Sequence, residues 1–183
     1  TAPTAAAAQQ EDERPLLILD VNNVLLCRGG WGGRFRLRPC CDEFVQFCLA
    51  HFQLALWSCG RRETLEAEIA EIPSLRRNRQ RLLFAWHQEH STNLWPRHSS
   101  VSETKPLFLK EITKVWAAFP HFGLTNTILV DDNAEKFERN PVGSCVLVPP
   151  FADGQREGGG DDDCLAPEGE LTSWLRRLSG AED

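Results

Sequence analysis

Short apolar runs alternate along the chain with segments in which apolar residues recur at helical spacing. Nearly continuous apolar runs are typical of strands that are buried on both faces of a parallel sheet. The runs span 16–19, 53–57, 127–130 and 145–148, and the helical patterns span 44–52, 65–72, 112–119 and 171–178. This alternation predicts an α/β fold of the Rossmann-like, doubly wound type, with a mainly parallel sheet and helices on both faces.

The length of 183 residues predicts one folded domain with a sizeable core. We expect residues 1–13 to form a flexible tail, because they offer little apolar surface to bury. Residues 14–183 are then predicted to form the single domain. Within it, 73–105 is interpreted as a basic insertion and 152–166 as an acidic, glycine-rich loop.

Composition narrows the class of protein. No apolar run approaches the ~20 residues that a membrane-spanning helix needs, so we predict no membrane span. The net charge of −6 argues against nucleic acid as a partner. The seven cysteines are odd in number and include no C-x-x-C pair, which favours reduced thiols inside the cell. We therefore expect an intracellular protein, nuclear or cytoplasmic, with a mitochondrial location left open.

Polar side chains follow three of the predicted strands where each strand ends. Asp20 follows the first run, Ser58 follows the second, and Asp131 with Asp132 follows the third. A single aspartate in such a place is more often a turn or helix-cap residue. In a parallel sheet, however, the strand ends meet at one edge, and carboxylates gathered there would repel one another without a cation. Carboxylate oxygens are ligands that Mg²⁺ prefers, so this edge predicts a magnesium site.

A cation that neutralises a transferring phosphoryl group would complete such a site. Lys110, near the start of the predicted helix at 112–119, is placed to supply it. Lys105 and Lys114 compete for the same role.

The order of these motifs along the chain is more specific than any one of them. The segments are 16–25 (LLILDVNNVL), 38–39 (RP), 57–63 (WSCGRRE), 105–110 (KPLFLK) and 128–133 (ILVDDN). In this order they resemble the haloacid dehalogenase superfamily. Within it, the chain resembles the RNA polymerase C-terminal-domain phosphatases and their nuclear-envelope and mitochondrial-import relatives, the NLI-interacting-factor-like family. The resemblance runs from about residue 15 to the last predicted helix.

The resemblance implies a role for each candidate residue. Asp20 would be the nucleophile that forms an aspartyl-phosphate, and Lys110 would neutralise charge and orient it. Mg²⁺ would be held by Asp20, the backbone carbonyl of Asn22, and Asp131 or Asp132. Ser58 and Cys59 would bind the phosphate oxygens. A metal that neutralises the phosphate is what a carboxylate nucleophile needs, because two anions must approach each other.

The first motif departs from the pattern of the family at Asn22. The family normally has Asp-x-Asp, and its second aspartate protonates the leaving group and then activates water. An amide cannot exchange a proton near neutral pH, and a general acid-base contributes ~10²–10⁴-fold. Two functions therefore remain: a Mg²⁺-dependent phosphoprotein phosphatase that is slow or selective, and a pseudo-phosphatase that serves as a protein-binding module. The retained polar residues favour the enzyme.

The expected substrate is a phosphorylated protein segment. Only 37 residues separate Asp20 from Ser58, which leaves no room for a large cap domain, so the site should be open to a bulky ligand. Six Lys or Arg against two Glu between residues 73 and 105 make a docking surface for acidic peptide plausible, although a solvated face explains such a cluster about as well.

Three other interpretations carry less weight. Receiver domains of two-component signalling combine similar residues, but there the acidic pair comes first in the chain and here it comes last. The glycine-rich segment 29–33 lacks the Lys-Ser/Thr ending of a phosphate-binding loop and is interpreted as a hairpin turn. His87, His90 and His98 suggest zinc only weakly, because no cysteine lies nearby at ligand spacing.

Overall fold

A five-stranded parallel sheet forms the centre of the fold. The computed structural model describes residues 12–29, 34–100, 102–152 and 162–180, so most of the predicted tail, the tip of the glycine-rich segment and most of the acidic loop lie outside the described residues. The strands of the sheet are β1 (Leu16–Leu19), β4 (Gln53–Trp57), β5 (Ala85–Trp86), β8 (Thr127–Asp131) and β9 (Cys145–Leu147). They have the order β5-β4-β1-β8-β9, and every strand pair is parallel. The predicted Rossmann-like fold is confirmed.

The strand β1 lies in the sheet between β4 and β8. Its last residue, Leu19, is in register with Leu56 of β4 on one side and with Val130 of β8 on the other. The chain therefore places one later strand on each side of β1, and a crevice opens at the carboxyl end of β1 where the strand order reverses. This is the position at which open α/β sheets bind their ligands.

Helices cover both faces of the sheet. The alternation of side chains along β1 sends Leu17 and Leu19 to one face and Leu16 and Ile18 to the other, and all four are fully buried. The helices are α1 (Cys41–His51), α2 (Arg62–Glu71), α3 (Pro73–Arg77), α4 (Thr113–Ala118) and α5 (Glu170–Leu178). The first face packs against α1, α2, α3 and α5, and the second packs against α4. None of the helices in the described ranges is long and apolar enough to cross a membrane.

Two antiparallel ribbons flank the crevice. A hairpin of β2 (Leu26–Arg28) and β3 (Phe35–Leu37) takes the place of a cap domain in the described part of the connection between β1 and α1. A longer ribbon pairs β6 (Thr92–Ser99) with β7 (Ser102–Leu109). The second half of the predicted basic insertion lies in this ribbon, which forms one wall of the crevice. Lys110 follows β7 directly and does not begin a helix.

Candidate functional site

The structure brings Asp20, Ser58 and Asp131 together at the carboxyl ends of three adjacent strands. The backbone N–H of Asp20 donates to the carbonyl of Val130 at 2.9 Å, which places Asp20 level with Asp131 on β8. Asp20 and Ser58 are each 2% exposed, and Asp131 is fully buried. These positions follow from the register of the sheet, since polar residues that end neighbouring parallel strands must lie side by side.

The loop after β1 is folded around one backbone carbonyl. The N–H groups of Leu25 and Leu26 donate to the carbonyl of Val21 at 2.9 and 3.3 Å. Asn23 adopts a left-handed conformation with φ of 64°, which asparagine tolerates better than most residues. Asn22 forms an isolated β-bridge with Leu26 at the base of this loop, is exposed, and lines the crevice. The crevice thus has an amide at the place where the resemblance implies a second carboxylate.

Lys110 forms ion pairs with two buried carboxylates, those of Asp20 and Asp131. Its Nζ lies 2.6 Å from Asp131 Oδ2 and 3.1 Å from Asp20 Oδ1, and its side chain is fully buried. Burial disfavours the charged ammonium, but the attraction of Asp131 and Asp20 outweighs it and raises the pKa of Lys110. Of the competing lysines, Lys105 is exposed at the crevice and Lys114 donates to a backbone carbonyl elsewhere. Lys110 is thus the one of the three that contacts Asp20.

A second lysine, Lys136, was not predicted from the sequence. Its Nζ lies 2.6 Å from Asp20 Oδ2, 2.9 Å from Asp131 Oδ1 and 3.2 Å from Asp132 Oδ1. It belongs to the 3₁₀ turn Ala134–Phe137 that follows β8. The one sequence signal was its position four residues after Asp132, a spacing that brings opposite charges together on a helical turn.

The two lysines are linked through the backbone as well. The N–H of Lys110 donates to the carbonyl of Lys136 at 2.6 Å, and Asn140 Nδ2 donates to the carbonyl of Lys110 at 2.8 Å. The segments after β7 and after β8 are therefore joined where both ammonium groups enter the site. This pairing keeps both cations aimed at Asp20.

The donor set fits a hard divalent cation. One oxygen from each of Asp20, Asp131 and Asp132 lies within 4.8 Å of the others, and among the described residues no other group of three acidic, histidine or cysteine side chains comes as close. All three ligands are carboxylates, which suits Mg²⁺. Lys136 contacts the same three carboxylates, so an ammonium and a divalent cation would share acceptors at this point.

The predicted phosphate-binding pair occupies the start of the next loop. Ser58 Oγ accepts a hydrogen bond from the N–H of Gly60 at 3.0 Å, and the N–H of Ser58 donates to the carbonyl of Trp86 at 2.9 Å. The thiol of Cys59 lies 3.8 Å from Ser91 Oγ, and burial raises its pKa although Lys110 and Lys136 act in the opposite direction. Cys59 is therefore held as a neutral thiol, and its backbone rather than its sulfur is suited to an anion.

A cavity of about 1050 Å³ opens over Asp20 between the two ribbons. Four cationic side chains line it: Arg28, Arg61, Lys105 and Lys136, the last of which also contacts Asp20. The basic segment 73–105 does not form one docking surface beside the crevice. Of its six cations only Lys105 lines the cavity, while three others form ion pairs away from it: Arg77 with Asp42, Arg79 with Glu66, and Arg97 with Glu138.

The histidines that suggested zinc take up separate contacts. The rings of His87 and His90 lie 4.6 Å apart between centroids, and His90 stacks on Trp86. His98 packs edge-on against Trp95. These contacts account for the three rings as packing groups.

A buried glutamate, Glu68, also lines the cavity and was not predicted from the sequence. It lies on α2, is 2% exposed, and its Oε2 has no hydrogen-bond partner among the described residues. Burial is the main cause that raises its pKa to about 7. The charge of Asp20 acts in the same direction, and Arg28 and Lys110 act against it.

This pKa predicts a specific dependence of stability on pH. The carboxyl of Glu68 titrates near 7 in the folded chain and near 4.5 when it is unfolded, so only the unfolded chain releases the proton between those values. The folded state should lose stability as the pH rises through this window, by up to about 3 kcal/mol. We expect Glu68→Gln to abolish this loss, so that its stability gain over the wild type is larger at pH 8 than at pH 5 in denaturant titrations.

Glu71, which is exposed on the same helix, provides the matched control for this measurement. Glu71→Gln should differ from the wild type by a similar small amount at both pH values. An equal effect of Glu68→Gln at pH 5 and pH 8 would show that the carboxyl is ionised in the folded protein at both.

Comparison with known proteins places these residues in a family context. The family model described as NLI interacting factor-like phosphatase matches residues 15–183. The ubiquitin-like domain-containing CTD phosphatase 1 of Drosophila melanogaster is 22% identical over 174 residues, which cover 94% of this chain and 51% of that protein. The human protein of the same name is 22% identical over 173 residues, with 93% and 51% covered. The chain thus spans about half the length of these relatives.

Solved structures share the fold. A variant of the fission yeast RNA polymerase II CTD phosphatase Fcp1, bound to beryllium fluoride, superposes with a TM-score of 0.51 at 15% identity, covering 92% of this chain and 50% of that one. A second structure of Fcp1, described as an essential RNA polymerase II CTD phosphatase, gives 0.50 at 16% identity, with 92% and 48% covered. At these identities the similarity is one of fold.

Proposed function

The chain belongs to the NLI interacting factor-like phosphatase family, and on that premise we propose that it is a Mg²⁺-dependent phosphoprotein phosphatase acting through an aspartyl-phosphate at Asp20. The observation that carries the proposal is the convergence of two ammonium groups on this carboxylate. Lys110 contacts one of its oxygens and Lys136 contacts the other. A buried carboxylate between two cations at a strand end is arranged to meet a dianionic phosphate.

The chain's own residues divide the work of the first step. The N–H of Val21 donates to Asp20 Oδ1 at 2.8 Å, which fixes the plane of the carboxylate. Its other oxygen, Oδ2, points toward the side from which Lys136 approaches. Lys110 and Lys136 offset the charge that builds up as the phosphoryl group reaches Asp20. Ser58, with the backbone of Cys59, is placed to hold the phosphoryl oxygens.

The three carboxylates of the site are suited to hold Mg²⁺. Asp20, Asp131 and Asp132 would hold it, with the backbone carbonyl of Asn22, and it would supply charge neutralisation between the phosphate and Asp20. Of the two adjacent aspartates, Asp131 is bonded to both lysines, and Asp132 is the more exposed and accepts from Asn23 Nδ2 at 3.2 Å. We expect the more exposed Asp132 to change partner more readily.

The shape of the cavity supports a phosphorylated protein segment as the substrate. It is open between the two ribbons, and besides Lys136 three cationic side chains, Arg28, Arg61 and Lys105, line it. None of the three forms a salt bridge with a described residue, so their charge is free to face an incoming acidic segment. Relatives of the chain carry the name CTD phosphatase, which is consistent with a protein substrate.

Asn22 favours a second candidate function. It replaces the carboxylate that the family uses for proton transfer, and a chain without that group could keep the fold as a phosphate-sensing binding module. The same cavity and cations would then hold a phosphorylated or acidic partner without turnover.

One set of assays separates the two functions. We expect the wild type to hydrolyse a nitrophenyl phosphate and a phosphoserine peptide when Mg²⁺ is present, and a chelator to remove this activity. Asn22→Asp is assayed in parallel. A silent wild type with an active Asn22→Asp variant would overturn the phosphatase proposal in favour of the binding module. Silence of both would remove the catalytic assignment altogether.

A further inference from the structure

We propose that Glu68 is the acid-base residue of this site, giving a proton to the leaving group and taking one from water in place of the carboxylate that Asn22 lacks. This inference rests on the proposed phosphatase function. It adds a residue from α2 to a site otherwise built from strand ends and the loops after them.

The helix α2 presents one face to the crevice and another to the core. Thr64 and Glu68 are four residues apart, so they lie one above the other on the same face, and both line the cavity that contains Asp20. Leu65 and Ile69, one position further along, point into the core and are 1% and 3% exposed. Glu68 is therefore not a core position filled by a polar residue. Its face belongs to the crevice.

The burial of Glu68 has no structural explanation among the described residues. Its side chain is enclosed, yet Oε2 accepts no hydrogen bond, and no cation of the described residues forms a salt bridge with the carboxylate. A buried carboxyl without a partner costs free energy, and packing alone would be served better by an apolar side chain. Such a group in a crevice beside a reactive carboxylate is an indication of function.

The charges around Glu68 keep both of its protonation states accessible. Burial disfavours the carboxylate most, and Asp20 at the end of β1 adds repulsion. Arg28 from β2 and Lys110 from the segment after β7 attract the carboxylate and limit the effect. The resulting pKa of about 7 suits a group that must donate a proton in one step and accept one in the next.

The two steps balance with Glu68 as the only proton carrier. In the first, an oxygen of Asp20 forms a bond to phosphorus, the bond from phosphorus to the substrate oxygen breaks, and neutral Glu68 protonates that oxygen. In the second, ionised Glu68 takes a proton from water, the water oxygen bonds to phosphorus, and the bond to Asp20 breaks. Inorganic phosphate leaves, and both carboxyl groups return to their starting state.

A double-mutant cycle with Asn22 tests this role. We expect Glu68→Gln to lower kcat on a phosphoserine peptide by about 10²-fold or more. In an Asn22→Asp background the same substitution should cost less than about threefold, because the added carboxylate makes Glu68 redundant. On a nitrophenyl phosphate, whose leaving group needs no proton, Glu68→Gln should give a burst of nitrophenol and accumulate acid-stable phosphate on Asp20.

The outcomes separate this inference from the proposal beneath it. A wild type that is inactive on both substrates removes the phosphatase function and Glu68 with it. An active wild type with an unchanged Glu68→Gln, or with equal losses in both backgrounds and no burst, overturns the role of Glu68 alone. Glu71→Gln serves as the control for charge removal on α2, and a melting curve of each variant identifies any loss that comes from misfolding.

Discussion

Asp20→Asn is expected to abolish phosphoryl transfer and to leave the fold in place. The amide keeps the size of the carboxylate and can still accept the hydrogen bond from Val21. It lacks the negative charge and the nucleophilic oxygen, so no aspartyl-phosphate can form. We expect turnover of a nitrophenyl phosphate to fall by ~10⁴-fold or more, toward the uncatalysed rate.

The measurement combines initial rates with acid-quenched trapping of phosphate on the protein. Asp163, an exposed aspartate, provides the control, and Asp163→Asn should retain the wild-type rate. Retained turnover in Asp20→Asn would show that another residue attacks the phosphate, and the assignment of the nucleophile would then be wrong.

Lys110→Met is expected to destabilise the protein more than any other single change at the site. The thioether fills the space of the lysine stem, but it leaves Asp131 Oδ2 and Asp20 Oδ1 without their buried cation. Breaking a buried ion pair from one side typically costs ~3–5 kcal/mol. In a domain of this size a loss of that magnitude lowers Tm by about 6–20 °C.

Denaturant titration at pH 7 and thermal melting measure this effect. Lys114 is exposed, and its Nζ donates only to a backbone carbonyl, so Lys114→Met should change the stability by less than about 0.5 kcal/mol. A similarly small change in Lys110→Met would mean that Asp20 and Asp131 are satisfied without it, and Lys136 would then be their principal partner.

The sequence predicted the part of the site that depends on strand register. Four of the five strands of the sheet are continuous apolar runs, and a polar residue after such a run marks the edge at which it ends. The positions of Asp20, Ser58 and Asp131 beside one another therefore follow from the sequence alone. Asp131 proved to be the last residue of β8, so the predicted strand of 127–130 was one residue short.

The parts that depend on tertiary contacts were not predictable in this way. The strand β5 contains two residues and is held by pairing with β4 rather than by its own pattern. Lys136 lies in a polar stretch between Asp132 and Asn140 that has no periodicity, and only the turn at Ala134–Phe137 aims it at Asp20. Glu68 occupies a helix in which a glutamate is ordinary, so its burial becomes visible only in the folded chain, where it lines the cavity over Asp20.

The balance of charge within the site also bears on how the protein folds. Three carboxylates, Asp20, Asp131 and Asp132, face two ammonium groups, which leaves the cluster with a formal charge of only −1. In structural zinc sites the metal contributes free energy that the apo chain needs in order to fold. Here Lys110 and Lys136 neutralise most of the carboxylate charge without a metal. The chain should therefore reach its native state during synthesis without a divalent ion. Metal availability would then control when the site can act, and the amount of folded protein would not depend on it.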